Sequence, residues 1–187
     1  MSGDGASPTT AVDVDAPMWL RSLVREIPDW PTPGVTFRDI TPLLADAPAF
    51  KRCIDELADR FAGEQVDAVV GIESRGFIVA APIAYRLGAS FVPVRKAGKL
   101  PWAVAREEYE LEYGRDKLEI HRDAIHPDAR VLVIDDVLAT GGTAVATARL
   151  VEALGGSVVG IGLLIEIAGL GGRAAFADRR LEVLASY

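Results

Sequence analysis

Two adjacent aspartates, Asp135 and Asp136, directly follow a run of four apolar, mostly β-branched residues at 131–134. Such a run is typical of a buried parallel strand. A loop of small and hydroxyl residues comes next at 139–143, and an apolar stretch with helical spacing follows at 144–154. A strand, an acid pair, a small-residue loop and a helix in this order predict a site that binds a phosphorylated sugar.

The loop after the acids has the composition of an anion-binding turn. Ala139 keeps its first position small, while Gly141 and Gly142 allow the backbone to approach a ligand closely. The N–H groups at the start of the following helix would face an anion, and Thr140 and Thr143 add hydroxyl donors. An ordinary strand-to-helix turn is the alternative, but a buried carboxylate without a partner is costly, so such turns seldom carry two acids. Neither the lysine of a Walker loop nor the three-glycine dinucleotide spacing is present.

Together these residues resemble the phosphoribosyl-pyrophosphate signature of the type I phosphoribosyltransferases. In that family the loop holds the 5′-phosphate, and the two acids face the ribose hydroxyls. Further segments resemble, in the same order, those of the adenine phosphoribosyltransferase family, so that the similarity covers about residues 20–170. These segments are PTPGVTFRDITP at 31–42, ESRGF at 73–77, VRKAGKLP at 94–101 and LEYG at 111–114.

The resemblance implies a transfer reaction in which adenine displaces pyrophosphate from C1 of phosphoribosyl pyrophosphate and AMP is formed. The leaving group carries several negative charges, so cations and Mg²⁺ must stabilise it. The Mg²⁺ would be held mainly by the substrate, without direct protein ligands. The sugar gains positive charge in the transition state, which Asp135 and Asp136 would stabilise as catalytic residues. The resemblance also implies a homodimer and a hood loop that closes to exclude water.

Four cationic residues are candidates for binding the leaving group. Arg75 follows a predicted strand at the edge where ligands bind in parallel sheets. The family uses this turn to hold pyrophosphate, often with a cis peptide bond, which here would lie at residues 73–74. Arg95, Lys96 and Lys99 form a basic cluster in an acidic chain, and the resemblance implies that they contact pyrophosphate, in the same subunit or across a dimer interface. Ordinary solvated charges are the alternative for each of them.

Five further residues are candidates, by resemblance, for binding the base and closing the site. Phe37 would stack on adenine, and the backbone around Thr36, Phe37 and Arg38 would read the polar edge of the base. Glu112 would assist proton transfer from the purine, and Tyr113 would cover the pyrophosphate. Without the resemblance, Phe37 is interpreted as a core residue and Glu112 as one solvated acid among many.

The elements that must position these residues alternate between strands and helices. This alternation predicts an α/β fold, a parallel twisted sheet with helices on both faces, as in the type I phosphoribosyltransferases. A charged and aromatic stretch at 102–120 breaks the alternation and predicts an antiparallel ribbon outside the core, the hood insertion. A proline at position 82 is expected to kink or interrupt its helix. The predicted helices are 17–26, 47–61, 77–87 and 144–154, and the predicted strands are 66–72, 90–94, 131–134 and 158–165.

Length and composition limit the functional classes. The 187 residues suit one domain, which we expect at 17–187 behind a disordered tail at 1–16. The formal net charge of -7 argues against binding to nucleic acid or to an anionic membrane. One cysteine, no signal-peptide pattern and no apolar stretch of transmembrane length are typical of a cytoplasmic protein.

Three functions remain in competition. The first is transfer of phosphoribose to adenine, the second is the same transfer to another base, and the third is a non-catalytic regulator that senses phosphoribosyl pyrophosphate. Residues 35–39 favour adenine by resemblance, and the acidic charge disfavours a regulator that binds nucleic acid.

Overall fold

The computed structural model describes residues 17–111 and 114–187, which form strands and helices in alternation over most of their length. The strands are β1 (Arg25–Ile27), β2 (Phe37–Asp39), β3 (Ala68–Ile72), β4 (Ser90–Lys96), β5 (Val104–Leu111), β6 (Gly114–His121), β7 (Arg130–Leu138), β8 (Ser157–Glu166) and β9 (Leu181–Ser186). The α-helices are α1 (Met18–Arg21), α2 (Thr41–Ala45), α3 (Ala47–Phe61), α4 (Arg75–Leu87) and α5 (Gly142–Ala153), and two 3₁₀ turns span Ala168–Leu170 and Gly172–Phe176.

Seven of these strands form one mixed sheet in the order β5-β6-β4-β3-β7-β8-β9. The strands from β4 to β9 in this order are parallel, while β6 and β5 extend the edge in antiparallel pairing. Every residue of β3 is buried, as expected for a central parallel strand covered on both faces. Strands β1 and β2 pair separately and antiparallel.

Helices cover both faces of the sheet, because successive side chains of a strand point to opposite sides. In β7, Leu132 and Ile134 pack in the core that contains residues of α3 and α4. Val131 and Val133 pack in clusters on the other side, with residues of α5 and with Phe176. This arrangement confirms the predicted fold class and brings the carboxyl ends of β3, β4 and β7 to one edge of the sheet.

Several predicted elements differ from the structure. The helix predicted at 17–26 is one turn, α1, because Arg25–Ile27 pairs with β2 instead, and such pairing overrides local helix propensity. The hood stretch is antiparallel as predicted, but β6 pairs with β4 and buries Leu118 and Ile120, so part of it belongs to the core. Helix α4 begins two residues earlier than predicted, and Pro82 does not end it. Strand β9 has no counterpart among the predicted elements.

None of the described helices combines the length and the apolar character that crossing a bilayer requires. The tail predicted at 1–16 lies outside the described residues.

Candidate active site

A cleft of about 430 Å³ opens where β3, β4 and β7 end. Ligands bind at this edge in open α/β sheets, since the loops that follow the strands meet there. Five of the predicted residues, from three separate sequence segments, line this cleft. The complete lining consists of Glu73, Ser74, Arg75, Lys96, Tyr109, Leu118, Asp135, Asp136 and Thr143.

The two acids lie in β7, beside the turn that carries Arg75. Asp136 is 6% exposed, and its Oδ2 lies 2.6 Å from Nε of Arg75. Oδ1 of Asp135 accepts a hydrogen bond of 2.9 Å from the N–H of Asp136. Burial raises the pKa of Asp135 well above its ordinary value, and the neighbouring Asp136 carboxylate raises it further. The pair therefore resists carrying two negative charges and favours a nearby cation or a group that gains positive charge.

The loop after β7 encloses a second, smaller cavity of about 60 Å³. Gly141, the residue before α5, has φ of 85°, a left-handed conformation that glycine adopts without strain. The N–H groups of the first turn of an α-helix have no acceptor within the helix, so those of residues 142–144, which line this cavity, are available as donors. Asp135 and residues 137–144 line it, which includes all five residues of the predicted loop. This cavity can hold a phosphate group.

Three of the four predicted cations lie in or beside the cleft, and each pairs with a carboxylate. We call Arg75, Arg95 and Lys96 the cationic wall. Arg75 contacts the acid pair as described above, while Nε of Arg95 lies 2.8 Å from Oε2 of Glu73. Nζ of Lys96 lies 3.0 Å from Oδ2 of Asp116, and this hydrogen bond lowers the pKa of Asp116 and raises that of Lys96. An anionic ligand at the wall must compete with these carboxylates.

The turn between β3 and α4 has the backbone conformation that the resemblance implied. The peptide bond between Glu73 and Ser74 is cis. The N–H of Glu73 donates a hydrogen bond of 2.9 Å to the carbonyl of Val94 in β4. Arg75 begins α4 immediately after this turn, at the mouth of the cleft.

Tyr109 is a cleft residue that the sequence analysis did not identify. It lies on β5, and its hydroxyl is 3.4 Å from Oδ2 of Asp116 and within hydrogen-bonding reach of the Thr143 hydroxyl. Burial raises the pKa of the Tyr109 phenol. This contact ties the hood hairpin to the first turn of α5. The alternating strand pattern puts Tyr109 on one face of the ribbon, but nothing in that pattern says which face covers a site.

Phe37, the candidate for stacking on the base, adjoins the cleft through Arg75. The Cζ atom of Arg75 lies 5.3 Å from the centroid of the Phe37 ring. The ring of Trp30 packs edge-on against Phe37, with 4.4 Å between centroids. Trp30 is half-exposed and was not among the predicted residues. The Phe37 ring therefore borders the Arg75 guanidinium, which also contacts the acid pair, and Trp30 packs against Phe37.

Three other predicted residues in the described part of the chain neither line the cleft nor contact its lining through their side chains. Lys99 is exposed in the turn after β4. Thr36 is exposed just before β2. The Arg38 guanidinium pairs with Glu26 and lies over the Tyr187 ring, so this side chain is engaged away from the cleft. Any contact of Arg38 with a base in the cleft therefore falls to its backbone.

The two predicted hood residues, Glu112 and Tyr113, lie outside the described residues. Their neighbours on either side belong to β5 and β6, which pair as one hairpin.

The donor set for a metal ion in the cleft consists of carboxylates. Within residues 17–111 and 114–187, no three His, Cys, Asp or Glu side chains come together as a ligand group. Mg²⁺ commonly binds through one or two carboxylates and completes its shell with phosphate oxygens and water. The acid pair fits such an ion.

The chain is similar to known phosphoribosyltransferases in sequence and in fold. A model of the phosphoribosyl transferase domain matches residues 43–179. An adenine phosphoribosyltransferase from Roseiflexus castenholzii is 58% identical over 168 residues, which are 90% of this chain and 98% of that protein. The crystal structure of adenine phosphoribosyltransferase from Thermoanaerobacter pseudethanolicus has a TM-score of 0.88 and 49% identity, covering 90% of this chain and 98% of that chain. The Saccharomyces cerevisiae enzyme, complexed with D-2,5-dideoxy-2,5-imino-altritol 1,6-bisphosphate and adenine, has a TM-score of 0.83 and 36% identity, covering 89% and 96% respectively.

Proposed function

This chain belongs to the phosphoribosyltransferase family and, within it, to the adenine phosphoribosyltransferases, and from this membership we propose how its residues divide the reaction among them. The enzyme transfers the 5-phosphoribosyl group of phosphoribosyl pyrophosphate to adenine and releases AMP and pyrophosphate, a step of purine salvage. The observation that carries the residue assignment is that the cleft with the acid pair and the cations shares Asp135 and Thr143 with the cavity of the loop.

The loop of residues 139–143 would hold the 5′-phosphate. Its cavity combines helix N–H donors with the hydroxyl of Thr143 and the left-handed turn at Gly141. We assign Ala139, Thr140 and Gly142 to the same contact, because backbone amides of a short loop act together on one anion.

Asp135 and Asp136 would face the ribose and stabilise the positive charge that C1 gains as pyrophosphate leaves. Burial and, after it, repulsion from the Asp136 carboxylate raise the pKa of Asp135, so the pair favours a cationic neighbour. Charge that develops on the sugar relieves this repulsion, so the pair interacts more strongly with the transition state than with the ground state.

The cationic wall would hold the pyrophosphate. Arg75 and Lys96 line the cleft and can exchange their carboxylate partners for phosphate oxygens. Arg95 lies beside them and forms an ion pair with Glu73. Lys99 is assigned to pyrophosphate by resemblance, and because it is exposed outside its own cleft, it would serve the cleft of a partner subunit.

Mg²⁺ would accompany the substrate and neutralise charge on the diphosphate. Phosphate oxygens of the substrate and water would supply most of its ligands, and the carboxylates of Asp135 and Asp136 would lie beside it in the cleft. The protein's own contribution is to orient the sugar beneath the acid pair and to keep water away from C1.

The base would bind beside Phe37, whose ring borders Arg75. The backbone of residues 35–38 would read its polar edge, with Thr36 and Arg38 contributing main-chain groups. Glu112 would take part in proton transfer from the purine, and Tyr113 would cover the pyrophosphate when the hood closes.

We also propose a homodimer. Ile78 and Tyr85 are seven residues apart on one face of α4 and are 45% and 90% exposed, which fits an apolar surface covered by a second copy. Sedimentation equilibrium under assay conditions should give twice the chain mass, and a monomer at every concentration would contradict the proposal.

The cytoplasm is the compartment that we propose. Burial raises the pKa of Cys53, the single cysteine, to about 12, so the thiol stays protonated and unreactive. Such a protein needs no oxidising compartment. Cell fractionation with an antibody against the chain should recover it with cytoplasmic markers, and recovery with secreted proteins would contradict this assignment.

Base selectivity tests the function directly. Steady-state kcat/KM values are measured for adenine, hypoxanthine, guanine, xanthine and a pyrimidine, each with phosphoribosyl pyrophosphate. We expect adenine to exceed every other base by about a hundredfold or more, since a site built on hydrogen bonds rejects mismatched partners strongly. A hundredfold preference for guanine would overturn the choice of base while leaving the transfer reaction intact.

A further inference from the structure

We propose that the ion pair between Glu166 and Arg173 positions the loop of residues 139–143 and so sets the affinity of the enzyme for 5′-phosphates. The inference rests on the proposed role of that loop. Glu166 ends β8, and Arg173 lies in the 3₁₀ turn Gly172–Phe176, so neither residue belongs to the cleft lining.

The loop of residues 139–143 packs against that 3₁₀ turn. A Cβ atom on Gly172 would lie 2.2 Å from the carbonyl oxygen of Ala139 and 3.1 Å from the nitrogen of Gly141. A Cβ atom on Gly141 would lie 3.0 Å from the carbonyl oxygen of Gly172 and 3.0 Å from Cε2 of the buried Phe176. The two backbones touch without room for a side chain, so a shift of the 3₁₀ turn moves the loop.

Arg173 fastens this turn to the sheet. Its Nε lies 3.1 Å from both carboxylate oxygens of Glu166, and its Nη2 lies 2.6 Å from Oε2. The Glu166 side chain is 5% exposed. A forked pair with a buried carboxylate fixes direction as well as distance.

The anchor point is adjacent to the loop itself. Glu166 stands in register with Leu138, the last residue of β7 before the loop. The N–H of Ile167 donates a hydrogen bond of 2.8 Å to the carbonyl of Leu138. The ion pair therefore connects the end of β7, through Glu166 and Arg173, to the 3₁₀ turn that packs against the phosphate loop.

A merely structural ion pair would change stability without distinguishing among ligands. A positioning pair would change binding of ligands that carry a 5′-phosphate and spare binding of the base. The two cases can be separated with Arg173→Ala, with Arg173→Lys, which keeps the charge but loses the fork, and with Arg179→Ala as a matched control. Arg179 forms two hydrogen bonds, of 2.5 and 3.3 Å, to Glu152 near the other end of α5.

The experiment measures the dissociation constant of ribose 5-phosphate by calorimetry, the KM values for phosphoribosyl pyrophosphate and adenine, and the melting temperature. We expect both Arg173 variants to weaken ribose 5-phosphate binding and raise the KM for phosphoribosyl pyrophosphate by about ten- to a hundredfold, as misplacement by about 1 Å can do. The KM for adenine should change less than about twofold, and Arg179→Ala should leave all three constants near wild type.

Equal affinities for ribose 5-phosphate in wild type and in folded Arg173→Lys overturn the proposal, and so does an equal loss for both substrates. If Arg173→Ala fails to fold, Arg173→Lys decides by the same criterion. A wild-type enzyme that binds ribose 5-phosphate but prefers another base would contradict only the proposed base. One that does not bind ribose 5-phosphate at all would remove both this inference and the proposed role of the loop.

Discussion

The loop of residues 139–143 and the cationic wall are both proposed to bind anions, but the two regions are built differently. The loop relies on backbone N–H groups and hydroxyls from one short stretch, and neighbouring residues of that stretch enclose its cavity. The wall relies on long side chains from α4 and β4, and Lys96 pairs there with Asp116 of β6. A backbone site is organised as soon as its turn folds, whereas long side chains lose rotamer entropy when they bind and depend on distant elements for their direction.

The regions also differ in what a ligand must displace. Arg75 and Lys96 each have a carboxylate of the same chain within 3.0 Å, at Asp136 and Asp116. In the proposed arrangement, pyrophosphate would take the place of these carboxylates, while the 5′-phosphate would meet amide donors that no side chain caps. Binding at the wall should therefore be the more sensitive to salt and to single charge changes, and binding at the loop the more sensitive to backbone geometry.

The largest effect is expected at Asp136, which contacts the wall and adjoins the loop. Asp136→Asn removes the carboxylate that pairs with Arg75 and that we propose to face the ribose. We expect kcat to fall by about a hundredfold, with the midpoint of thermal unfolding close to that of wild type. Rapid-quench measurement of a single turnover separates chemistry from product release. Turnover at the wild-type rate would remove the acid pair from the mechanism.

A smaller effect is expected from Gly141→Ala, which tests the loop. The new Cβ would strain a backbone with φ of 85° and lie 3.0 Å from the carbonyl oxygen of Gly172. We expect the KM for phosphoribosyl pyrophosphate to rise about tenfold, while the inhibition constant of pyrophosphate stays the same.

The matched control is Gly155→Ala, in the turn after α5. Gly155 has φ of 88°, and its Cβ would meet nothing closer than Pro127 at 3.5 Å. Both substitutions carry the same conformational penalty, about 1 kcal/mol or more. Equal changes in KM would show that the loop responds to lost stability, and the distinction between loop and wall would then fail.

Lys96→Ala tests the wall and should have a still smaller effect, since an exposed cation contributes modestly. We expect the inhibition constant of pyrophosphate to rise by about threefold to tenfold at low salt, and this difference should shrink as salt is added. Lys117→Ala is the control, because Lys117 has a similar ion pair, 2.6 Å from Glu108, outside the cleft lining. A loss that is independent of salt, or equal in both variants, would contradict a direct contact between Lys96 and pyrophosphate.

The same difference between local and distant construction explains how far the sequence could predict the site. Asp135, Asp136 and the loop after them occupy consecutive positions, so their order in the chain already describes their arrangement. Tyr109 enters the cleft through the pairing of β5 with β6 and its contact with Thr143, and no local pattern records that packing. The Arg38 side chain is a second example, because its neighbour Phe37 borders Arg75 while its own guanidinium pairs with Glu26 and lies over Tyr187. The role predicted for Arg38 concerned only its backbone.

Predicted elements follow the same rule. The helix expected at 47–61 is present with those bounds as α3, since its apolar spacing and its N-cap at Asp46 are local signals. The helix expected at 17–26 is mostly lost to the pairing of β1 with β2. What a residue does alone or with its immediate neighbours could be predicted, and what a remote strand imposes could not.

The smallest expected effect is a change in thermal stability. Its sign should differ between Asp135, in the acid pair, and Asp39, which follows the proposed base-binding residues. Burial, followed by Asp136, raises the pKa of Asp135 in the folded protein, whereas hydrogen bonds from Thr41 lower that of Asp39, the last residue of β2. A raised carboxyl pKa means that the folded state holds its proton more tightly than the unfolded state, so stability falls as pH rises from about 4 through the folded pKa. Asp135→Asn cannot ionise and should melt at a higher temperature than wild type at pH 7, although its turnover falls.

Asp39→Asn should change melting in the opposite direction. A lowered pKa contributes stability above the unfolded value, and this contribution is lost as pH falls through the folded pKa, so this variant should melt below wild type at pH 7. Thermal unfolding monitored by circular dichroism from pH 2 to pH 8 measures both differences. The difference for Asp135→Asn should shrink as pH falls towards about 4, and that for Asp39→Asn should shrink only below about 4. If Asp135→Asn also melts below wild type at pH 7, the surroundings of Asp135 stabilise its carboxylate. The two acids would then not repel each other enough for positive charge on the sugar to relieve that repulsion.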